Sequence, residues 1–405
     1  MKDPKQTAEL ARTSLPWPCW IEVDLDAIRH NVQGIRALVG PDCRTMAVVK
    51  SQAYGHGAVA VARTALEAGA TWLGVARVRE AVQLREAGLH APILLLGPIV
   101  EAEVETIVDL ALRPTVVDGE QARLISRSAV AAGRAVPVHV KLDTGLGRYG
   151  APFHVVRRLL HDISRLPGLQ LEGLYSHFAT ADDPDGAFAR SQLDAFTAAQ
   201  AALEAEGFHF PLVHMAASAA ILGVAGSHMD VVRLGLSLYG LYPSPHLAAR
   251  LELRPALSLH SRVARVFRLE PGQSVGYGRT FVAARPVVAA LIPVGYADGL
   301  PRSHSNRGYI LVNGRRAPLI GRVSMDQCVV DVTDCGPVQE GDPAVIIGRQ
   351  ADQVIGCDEF AERSGTISYE VLTSLGYRVP RVYRIGGAIR QVAYLDEGRL
   401  EDWSG

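Results

Sequence analysis

Lysine is scarce in this sequence, and one of its few lysines stands where an amine could do chemistry. Of the 41 basic residues only four are lysines, at positions 2, 5, 50 and 141. Lys50 follows the apolar run 46–49 and precedes a turn-like Tyr54-Gly55-His56-Gly57. Burial disfavours a charged amine, and a neutral amine can form a Schiff base, which arginine cannot. We therefore interpret Lys50 as a candidate nucleophile; the alternative is a strand-end lysine that extends its charge to solvent.

Short apolar runs recur through the first 250 residues and predict the elements that would position this lysine. Stretches of helical periodicity, such as 78–85 and 192–199, separate most of the runs. Eight strand–helix units in succession predict a parallel (β/α)8 barrel of the TIM type. A doubly wound sheet is the alternative, although no GxGxxG opens a helix to support a dinucleotide site. The runs are 45–50, 72–76, 92–97, 114–117, 137–143, 169–177, 212–216 and 231–234.

Polar residues follow these runs and would share one rim of the barrel, because active sites form at the carboxyl ends of the strands. The loops after the last two strands of this fold commonly bind phosphate, and Gly235 would let backbone N–H groups approach an anion. A phosphate site near a Schiff-base lysine predicts pyridoxal 5′-phosphate (PLP). The residues assigned to the rim are Lys50, Tyr54, Lys141, Asp143, Arg148, Glu172, Ser176, His177, Ser218, Arg233 and Gly235.

From about residue 251 the pattern changes to short strands separated by turns, at 263–269, 287–294, 309–312, 317–320, 327–332 and 344–348. Asn313-Gly314 is a strong hairpin signal, and a single helical segment is predicted at 358–364. The sequence therefore predicts an N-terminal tail over 1–20, the barrel over 21–250 and a mostly antiparallel β domain over 251–405. The strand at 21–25 is a candidate for pairing with the β domain.

Composition narrows the class of protein. The chain has 41 basic and 42 acidic residues and 48% hydrophobic residues, so it can form large cores and has no general excess of positive charge for nucleic acid. The five cysteines are scattered and form neither a zinc-type cluster nor a CxxC pair, so no metal site is expected. We see no signal peptide and no membrane-spanning run, and we expect a cytoplasmic protein.

Motifs in both halves resemble those of bacterial alanine racemase, a family of PLP enzymes of fold type III, over nearly the whole chain. The most specific is Ala47-Val48-Val49-Lys50 followed by Ala53-Tyr54-Gly55-His56-Gly57, which resembles the family's PLP-lysine signature. The other matching blocks are 142–148, 173–178, 232–235, 277–280, 295–299, 324–327 and 377–381. The resemblance implies a homodimer with shared active sites that interconverts L-alanine and D-alanine and supplies D-alanine for peptidoglycan.

The resemblance also implies two catalytic bases. Lys50 would hold PLP and exchange a proton on one face of the substrate Cα, and Tyr277 would serve the other face. Amine and phenol groups ordinarily titrate near pH 10, so neighbouring cations are expected to favour their deprotonated forms. Arg233 would donate to the pyridine nitrogen, which weakens PLP as an electron sink and suits racemisation.

The remaining implied roles concern binding. Tyr54, Ser218, Gly235, Leu236 and Tyr377 would cradle the phosphate, Arg148 and the Met325 N–H would hold the substrate carboxylate, and Tyr296 with Arg302 would line the entrance. His177 would lie near Arg233, or simply satisfy carbonyls of the rim. Lys141 would be carbamylated and orient an arginine, or remain an ammonium paired with Asp143.

Some positions depart from the family pattern: Ser51-Gln52, Ala217 and Ser324, all expected near the cofactor.

Three rival functions have to be weighed against alanine racemisation. A non-catalytic PLP carrier would lack the β half and Tyr277. A related decarboxylase would need a cysteine-bearing site in the β domain and a pocket for a long diamine or basic substrate, whereas Met325 and Tyr296 would restrict the site to a small side chain. A serine or broad-spectrum racemase is the nearest rival, since an apolar pocket excludes an added hydroxyl only weakly.

Overall fold

The computed structural model describes residues 15–403 of the chain. They form two compact units. The barrel unit contains Ala27–Ala53 and Ala58–Pro255, and the β unit contains Tyr54–Gly57, the residues from Ala256 onward and the described residues before Ala27. The predicted tail 1–20 lies mostly outside the described residues, and Cys19 and Trp20 already belong to the first strand, β1 (Cys19–Asp24).

The barrel unit is built on a parallel sheet that has eight strands within the described residues. They are β2 (Arg44–Val48), β3 (Trp72–Val75), β4 (Ile93–Leu95), β5 (Arg113–Val116), β6 (Val136–Lys141), β7 (Leu169–Tyr175), β8 (Leu212–His214) and β9 (Val231–Leu234). Neighbours in sequence pair from β2 to β8, and β9 pairs back with β2. A parallel bridge between Ala217 and Arg233 nearly closes the sheet. The predicted barrel is confirmed, and the doubly wound alternative is wrong.

Helices with one apolar face connect the strands. In α6, Val156, Leu159, Leu160 and Ile163 are buried at helical spacing, which places one face against the sheet. Asp118 caps α5 by accepting hydrogen bonds from Glu120 N and Gln121 N. No helix in residues 15–403 is long and apolar enough to cross a membrane. The helices are α1 (Leu25–Val39), α2 (Ala58–Glu67), α3 (Val78–Glu86), α4 (Val104–Asp109), α5 (Gly119–Ala131), α6 (Phe153–Ile163), α7 (Ala187–Ala205) and α8 (Ser218–Gly223).

The β unit is mostly antiparallel, as predicted. Its largest sheet has the order β16-β15-β18-β10-β1-β20-β21-β22, with β19 paired to β18, and two smaller sheets are β11-β14-β17 and β12-β13. The strands are β10 (Leu257–Arg262), β11 (Arg265–Leu269), β12 (Ser274–Val275), β13 (Phe281–Val282), β14 (Val287–Ile292), β15 (Tyr309–Val312), β16 (Arg315–Pro318), β17 (Cys328–Asp331), β18 (Pro343–Gln350), β19 (Gln353–Ile355), β20 (Arg381–Ile385), β21 (Ala388–Tyr394) and β22 (Arg399–Asp402). β1 pairs with β10 and, in parallel, with β20.

Two local predictions for this unit have opposite outcomes. Asn313 and Gly314 both have positive φ, 51° and 71°, and join β15 to β16 in the predicted hairpin. The expectation of a single helical segment is wrong, because α9 (Cys357–Ser364) is followed by α10 (Ser368–Thr373). Gly365 ends α9 in the left-handed conformation. The six-residue α10 is too short for its periodicity to stand out in the sequence.

Candidate active site

The backbone after β2 forms a left-handed turn that begins at the candidate lysine. Ser51, Gln52, Ala53 and Tyr54 all have φ of 52–53°, and the first three have ψ near 50°. This conformation costs about 1–2 kcal/mol per residue for side chains with a Cβ. Four such residues in succession persist only where surrounding contacts hold them. The turn was not predicted from the sequence, because no glycine or asparagine marks it.

Glu80, in the first turn of α3, makes some of the contacts that stabilise the left-handed turn. Its Oε1 accepts a hydrogen bond from Ser51 N at 2.5 Å. Its Oε2 accepts from Ala76 N at 2.7 Å and Arg77 N at 2.9 Å, in the loop after β3. One carboxylate therefore ties the residue after Lys50 to the neighbouring strand's loop.

Gln52 holds the same turn from its other side. Its Nε2 donates to Gln83 Oε1 at 2.9 Å, and its Oε1 accepts from Ala58 N at 3.2 Å, at the start of α2. The family resemblance leads us to expect asparagine at position 52, whose shorter side chain tolerates left-handed backbone well. The longer glutamine has partners for both ends of its amide here, so this departure is accommodated.

Residues 54–57 are fixed within the β unit. Arg381 is fully buried, and its Nε donates to Gly55 O at 3.0 Å. The hydroxyl of Tyr383 donates to His56 O at 3.0 Å. The ring of Tyr54 lies 6.1 Å from that of Tyr369. The carbonyls that follow the left-handed turn are therefore hydrogen-bonded to buried side chains of β20.

Positive charge accumulates at the carboxyl end of the barrel strands. Burial, and then the charge of Arg148, lowers the pKa of Lys50, and Glu80 opposes that shift. Burial, followed by the charges of Arg233 and Arg148, lowers the pKa of Lys141 to about 7. The carboxylate of Asp143 accepts hydrogen bonds from Gly145 N and Gly147 N. Asp143 is thus committed to the backbone of its own loop, and both lysines are biased toward neutral amines.

Arg233, on β9, is 3% exposed and is held by four acceptors. Its Nη1 donates to His214 Nδ1 at 2.6 Å. Its Nη2 donates to Ser176 O at 2.9 Å, Met215 O at 2.8 Å and His177 Nδ1 at 3.0 Å. Burial, and then the charge of Arg233, lowers the pKa of His177 and of His214 well below the ordinary value. The guanidinium is therefore fixed in orientation beside two neutral imidazoles.

The loops after β8 and β9 meet at the hydroxyl of Ser218. Its Oγ accepts hydrogen bonds from Gly235 N at 3.0 Å and Ser237 N at 3.1 Å, and from the Ser237 hydroxyl at 3.0 Å. Leu236 begins the 3₁₀ turn Leu236–Tyr239. N–H groups that converge on one oxygen can equally donate to the oxygen of an anion. This geometry suits a phosphate.

The predicted site residues of the β unit come together around one arginine. Arg378 Nε donates to Asp298 Oδ1 at 2.8 Å and its Nη2 donates to Asp326 Oδ1 at 2.7 Å. Tyr296 N donates to Ser324 O at 3.1 Å, so the blocks 295–299, 324–327 and 377–381 are neighbours. Tyr296, Met325 and Tyr377 are exposed.

Tyr277 lies in the 3₁₀ turn Tyr277–Arg279, between the short strands β12 and β13. Its side chain is 72% exposed. Among the large hydrophobic side chains of the described residues it has the greatest exposed fraction. This tyrosine is therefore available to a partner or ligand.

The pKa of Lys141 predicts a pH dependence of stability. The folded chain releases this proton near pH 7 and the unfolded chain near 10.5, so between these values the unfolded state binds more protons. The free energy of unfolding should therefore rise with pH through this window. Lys141→Met should flatten the rise, measured by urea unfolding at pH 7, 8 and 9 in bicarbonate-free buffer. Arg158→Met, which removes an exposed cation from α6, is the control; an unchanged slope in Lys141→Met would contradict the assignment.

Comparison with known proteins agrees with the geometry. The alanine racemase N-terminal domain model matches residues 23–243, and the C-terminal domain model matches residues 256–383. An alanine racemase of Synechocystis sp. is 44% identical over 364 residues, which are 90% of this chain and 98% of the relative.

Solved structures give the same result. The structure of alanine racemase from Bacillus anthracis with bound L-Ala-P has a TM-score of 0.90 and 38% identity, covering 95% of this chain and 100% of that one. A histidine racemase from Leuconostoc mesenteroides is also similar, with a TM-score of 0.84 and 28% identity, covering 92% of this chain and 99% of that one. The chain belongs to the alanine racemase family.

Proposed function

We propose that this protein is a PLP-dependent cytoplasmic racemase that interconverts L-alanine and D-alanine by a two-base mechanism and so supplies D-alanine for peptidoglycan. The observation that carries the proposal is the Lys50 amine at the carboxyl end of β2, whose pKa is lowered by burial and by Arg148. A neutral amine in that position can hold the cofactor and later exchange a proton with substrate.

The residues of the barrel rim fit PLP. PLP has a phosphate and a phenolic oxygen, and the rim offers four cationic side chains and the converging N–H groups around Ser218. Lys50 would hold the cofactor through its amine. When bound, PLP withdraws electrons from the substrate Cα and makes its hydrogen acidic. The phosphate would be held by Tyr54, Ser218, Gly235, Leu236 and Tyr377.

Arg233 would donate a hydrogen bond to the ring nitrogen. A guanidinium keeps its protons, so that nitrogen stays an acceptor and electron withdrawal is moderate. Prompt return of a proton to Cα is then favoured over side reactions. His177, 3.0 Å from Arg233 Nη2, would keep the guanidinium in place.

Two proton carriers and a carboxylate anchor complete the mechanism. Lys50 moves a proton on one face of Cα and Tyr277 on the other, which inversion of configuration requires. Arg148 and the Met325 N–H would hold the substrate carboxylate, and Tyr296 would restrict the side chain to about the size of a methyl group. Carbamylation of Lys141 is supported by its buried amine with a pKa of about 7, because a carbamate forms from a neutral amine.

We also propose a homodimer in which each active site uses Tyr277 of the partner subunit. Tyr277, Tyr296, Met325 and Tyr377 are all exposed on the β unit. A proton carrier has to be shielded from bulk water to act on one substrate atom. The exposure of these four residues therefore supports a surface that a second copy of the chain covers.

A serine or broad-spectrum racemase is the second candidate. The relative named as a histidine racemase has the same fold at 28% identity, so members of this fold are not restricted to one substrate. Measuring kcat/KM for alanine, serine and histidine separates the two functions. A value for serine or histidine equal to that for alanine would favour the second.

Reduction of the PLP-loaded protein with borohydride should leave the cofactor attached to the peptide that contains Lys50, because this amine is the one at the end of β2. Peptide mapping and racemisation of L-alanine, followed by circular dichroism, are the measurements. Lys50→Ala should lose both the attachment and the activity. Lys141→Arg serves as a comparison that retains Lys50. Attachment at Lys141, or at no lysine, would contradict the mechanism.

Mixing inactive Lys50→Ala and Tyr277→Phe subunits should restore activity. Half of the dimers formed from equal amounts are mixed and each has one intact site, so about one quarter of wild-type activity is expected. The control mixes Lys50→Ala with the Lys50→Ala/Tyr277→Phe double variant, which cannot form an intact site. No recovery despite demonstrated subunit exchange would argue against sharing.

Tyr277→Phe should affect the two enantiomers unequally. If Tyr277 serves L-alanine and Lys50 serves D-alanine, overall racemisation falls in both directions, because thermodynamics couples the forward and reverse rates. Exchange of the Cα hydrogen in deuterated water should continue for D-alanine with retained configuration. Exchange for L-alanine should slow by about a hundredfold or more, typical for loss of a general base. Equal residual exchange from both enantiomers would remove Tyr277 from the mechanism.

A further inference from the structure

A row of polar side chains, three buried and two partly buried, extends from Arg233 across the barrel unit. Arg233 Nη1 donates to His214 Nδ1 at 2.6 Å, and His214 Nε2 lies 3.1 Å from His139 Nδ1. His139 Nε2 lies 3.1 Å from Glu172 Oε2, and Arg113 Nε lies 3.5 Å from the same oxygen. The five residues belong to β9, β8, β6, β7 and β5. We call Arg233, His214, His139 and Glu172 the relay.

The two ends of the relay fix the protons between them. A guanidinium only donates, so His214 Nδ1 accepts and its proton is on Nε2. His214 Nε2 therefore donates to His139 Nδ1, whose own proton is on Nε2 and is donated to Glu172. A protonated His139 would direct an N–H at the N–H of His214 and break one bond. Burial is the main cause that lowers the pKa of both histidines, in agreement with two neutral rings.

Neighbouring rings prevent rotation of the two imidazoles. Tyr175 stacks on His214 with centroids 4.6 Å apart and an interplanar angle of 11°. Trp72 packs edge-on against His139 at 5.6 Å. Although burial opposes it, the hydrogen bond from His139 and the charge of Arg113 lower the pKa of Glu172, so this carboxylate is ionised. The relay therefore joins a negative charge to a positive one through two rings of fixed orientation.

We propose that Glu172 is a positioning residue for Arg233, acting through the Nε2–H tautomers of His139 and His214. The inference deepens the proposed function and rests on it for the role of Arg233 at the cofactor ring. Without the carboxylate, Arg233 alone selects the tautomers of the two rings, so their Nδ1–H forms become more accessible. His214 is then free to turn an N–H toward Nη1, where two donors oppose each other. Arg233 would lose its strongest fixed acceptor.

A merely structural role would fill the barrel interior and satisfy polar groups without affecting Arg233. The two roles differ in what Glu172 substitutions do to the histidine protons and to turnover. Glu172→Leu removes the acceptor, and Glu172→Gln removes the charge but keeps a carbonyl oxygen that can accept from His139. Asp230→Asn is the matched control, because Asp230 is an acidic residue outside the relay whose carboxylate accepts a hydrogen bond from Val213 N in β8.

The experiment records ¹⁵N spectra of histidine-labelled, PLP-loaded protein, with signals assigned through His139→Gln and His214→Asn. The wild type should show both rings neutral with the proton on Nε2. Glu172→Leu should give mixed tautomers and a kcat lower by about tenfold, equivalent to about 1.4 kcal/mol, with KM for alanine nearly unchanged. Glu172→Gln should keep the tautomers and recover part of kcat. Asp230→Asn should match the wild type in both readouts.

A double variant tests whether Glu172 acts on Arg233 through the two histidines. His214→Asn offers Arg233 an amide oxygen but breaks the connection to His139, so Glu172→Leu should have no further effect on kcat in that background. Additive effects, an Nδ1–H or protonated ring in the wild type, or an unaltered kcat in Glu172→Leu would overturn the proposal. The spectra report the tautomers of the relay even if the protein proves not to racemise alanine. Failure of this proposal can therefore be distinguished from failure of the proposed function.

Discussion

Four groups that can carry a positive charge lie at one end of the barrel unit, and their mutual repulsion constrains which of them can be protonated together. Burial is the first cause that lowers the pKa of Lys50 and of Lys141; the charge of Arg148 lowers both further, and the charge of Arg233 adds to the shift of Lys141. The nearby carboxylate of Asp143 is used by backbone N–H groups. The repulsion is relieved when lysines give up protons or when an anion binds. The same arrangement therefore favours neutral amines, and it suits the anionic cofactor and the carboxylate substrate of the proposed function.

The left-handed turn determines where the reactive amine stands. Lys50 directly precedes four residues with strained backbone, Ser51 to Tyr54, and strain of this size has to be offset by tertiary contacts. Glu80 and Gln52 provide them on the barrel side, through backbone N–H groups and one amide pair. Glu80 thus has two effects: it fixes the backbone beside Lys50 and opposes the loss of the lysine's charge. Position and proton affinity of the amine depend on the same contact.

The barrel was predictable because its strands and helices have different periodicities over eight repeats, and the loops of such a barrel collect polar residues at one end. The left-handed turn was not, since nothing in Ser51–Ala53 distinguishes it from a helical segment. His139 and His214 were missed because single histidines in apolar strands resemble ordinary core residues. One signal was available: His139 and Lys141 are two apart on β6 and so share a face. Arg381 was missed because its partners are backbone carbonyls, which leave no pattern in the sequence.

Inversion at Cα requires proton carriers on opposite faces of one carbon, and a barrel rim approaches its ligand from one side only. In the proposed mechanism the second carrier would come from a separate body, and Tyr277, on an exposed turn of the β unit, is the residue we propose for it. In this mechanism the barrel unit and the β unit have different roles. The barrel unit surrounds Lys50 and Arg233 with buried contacts, whereas in the proposed homodimer the β unit would contribute groups that become shielded by association. If Tyr296 and Met325 line the substrate as proposed, the β unit would control substrate size while the relay in the barrel stays the same.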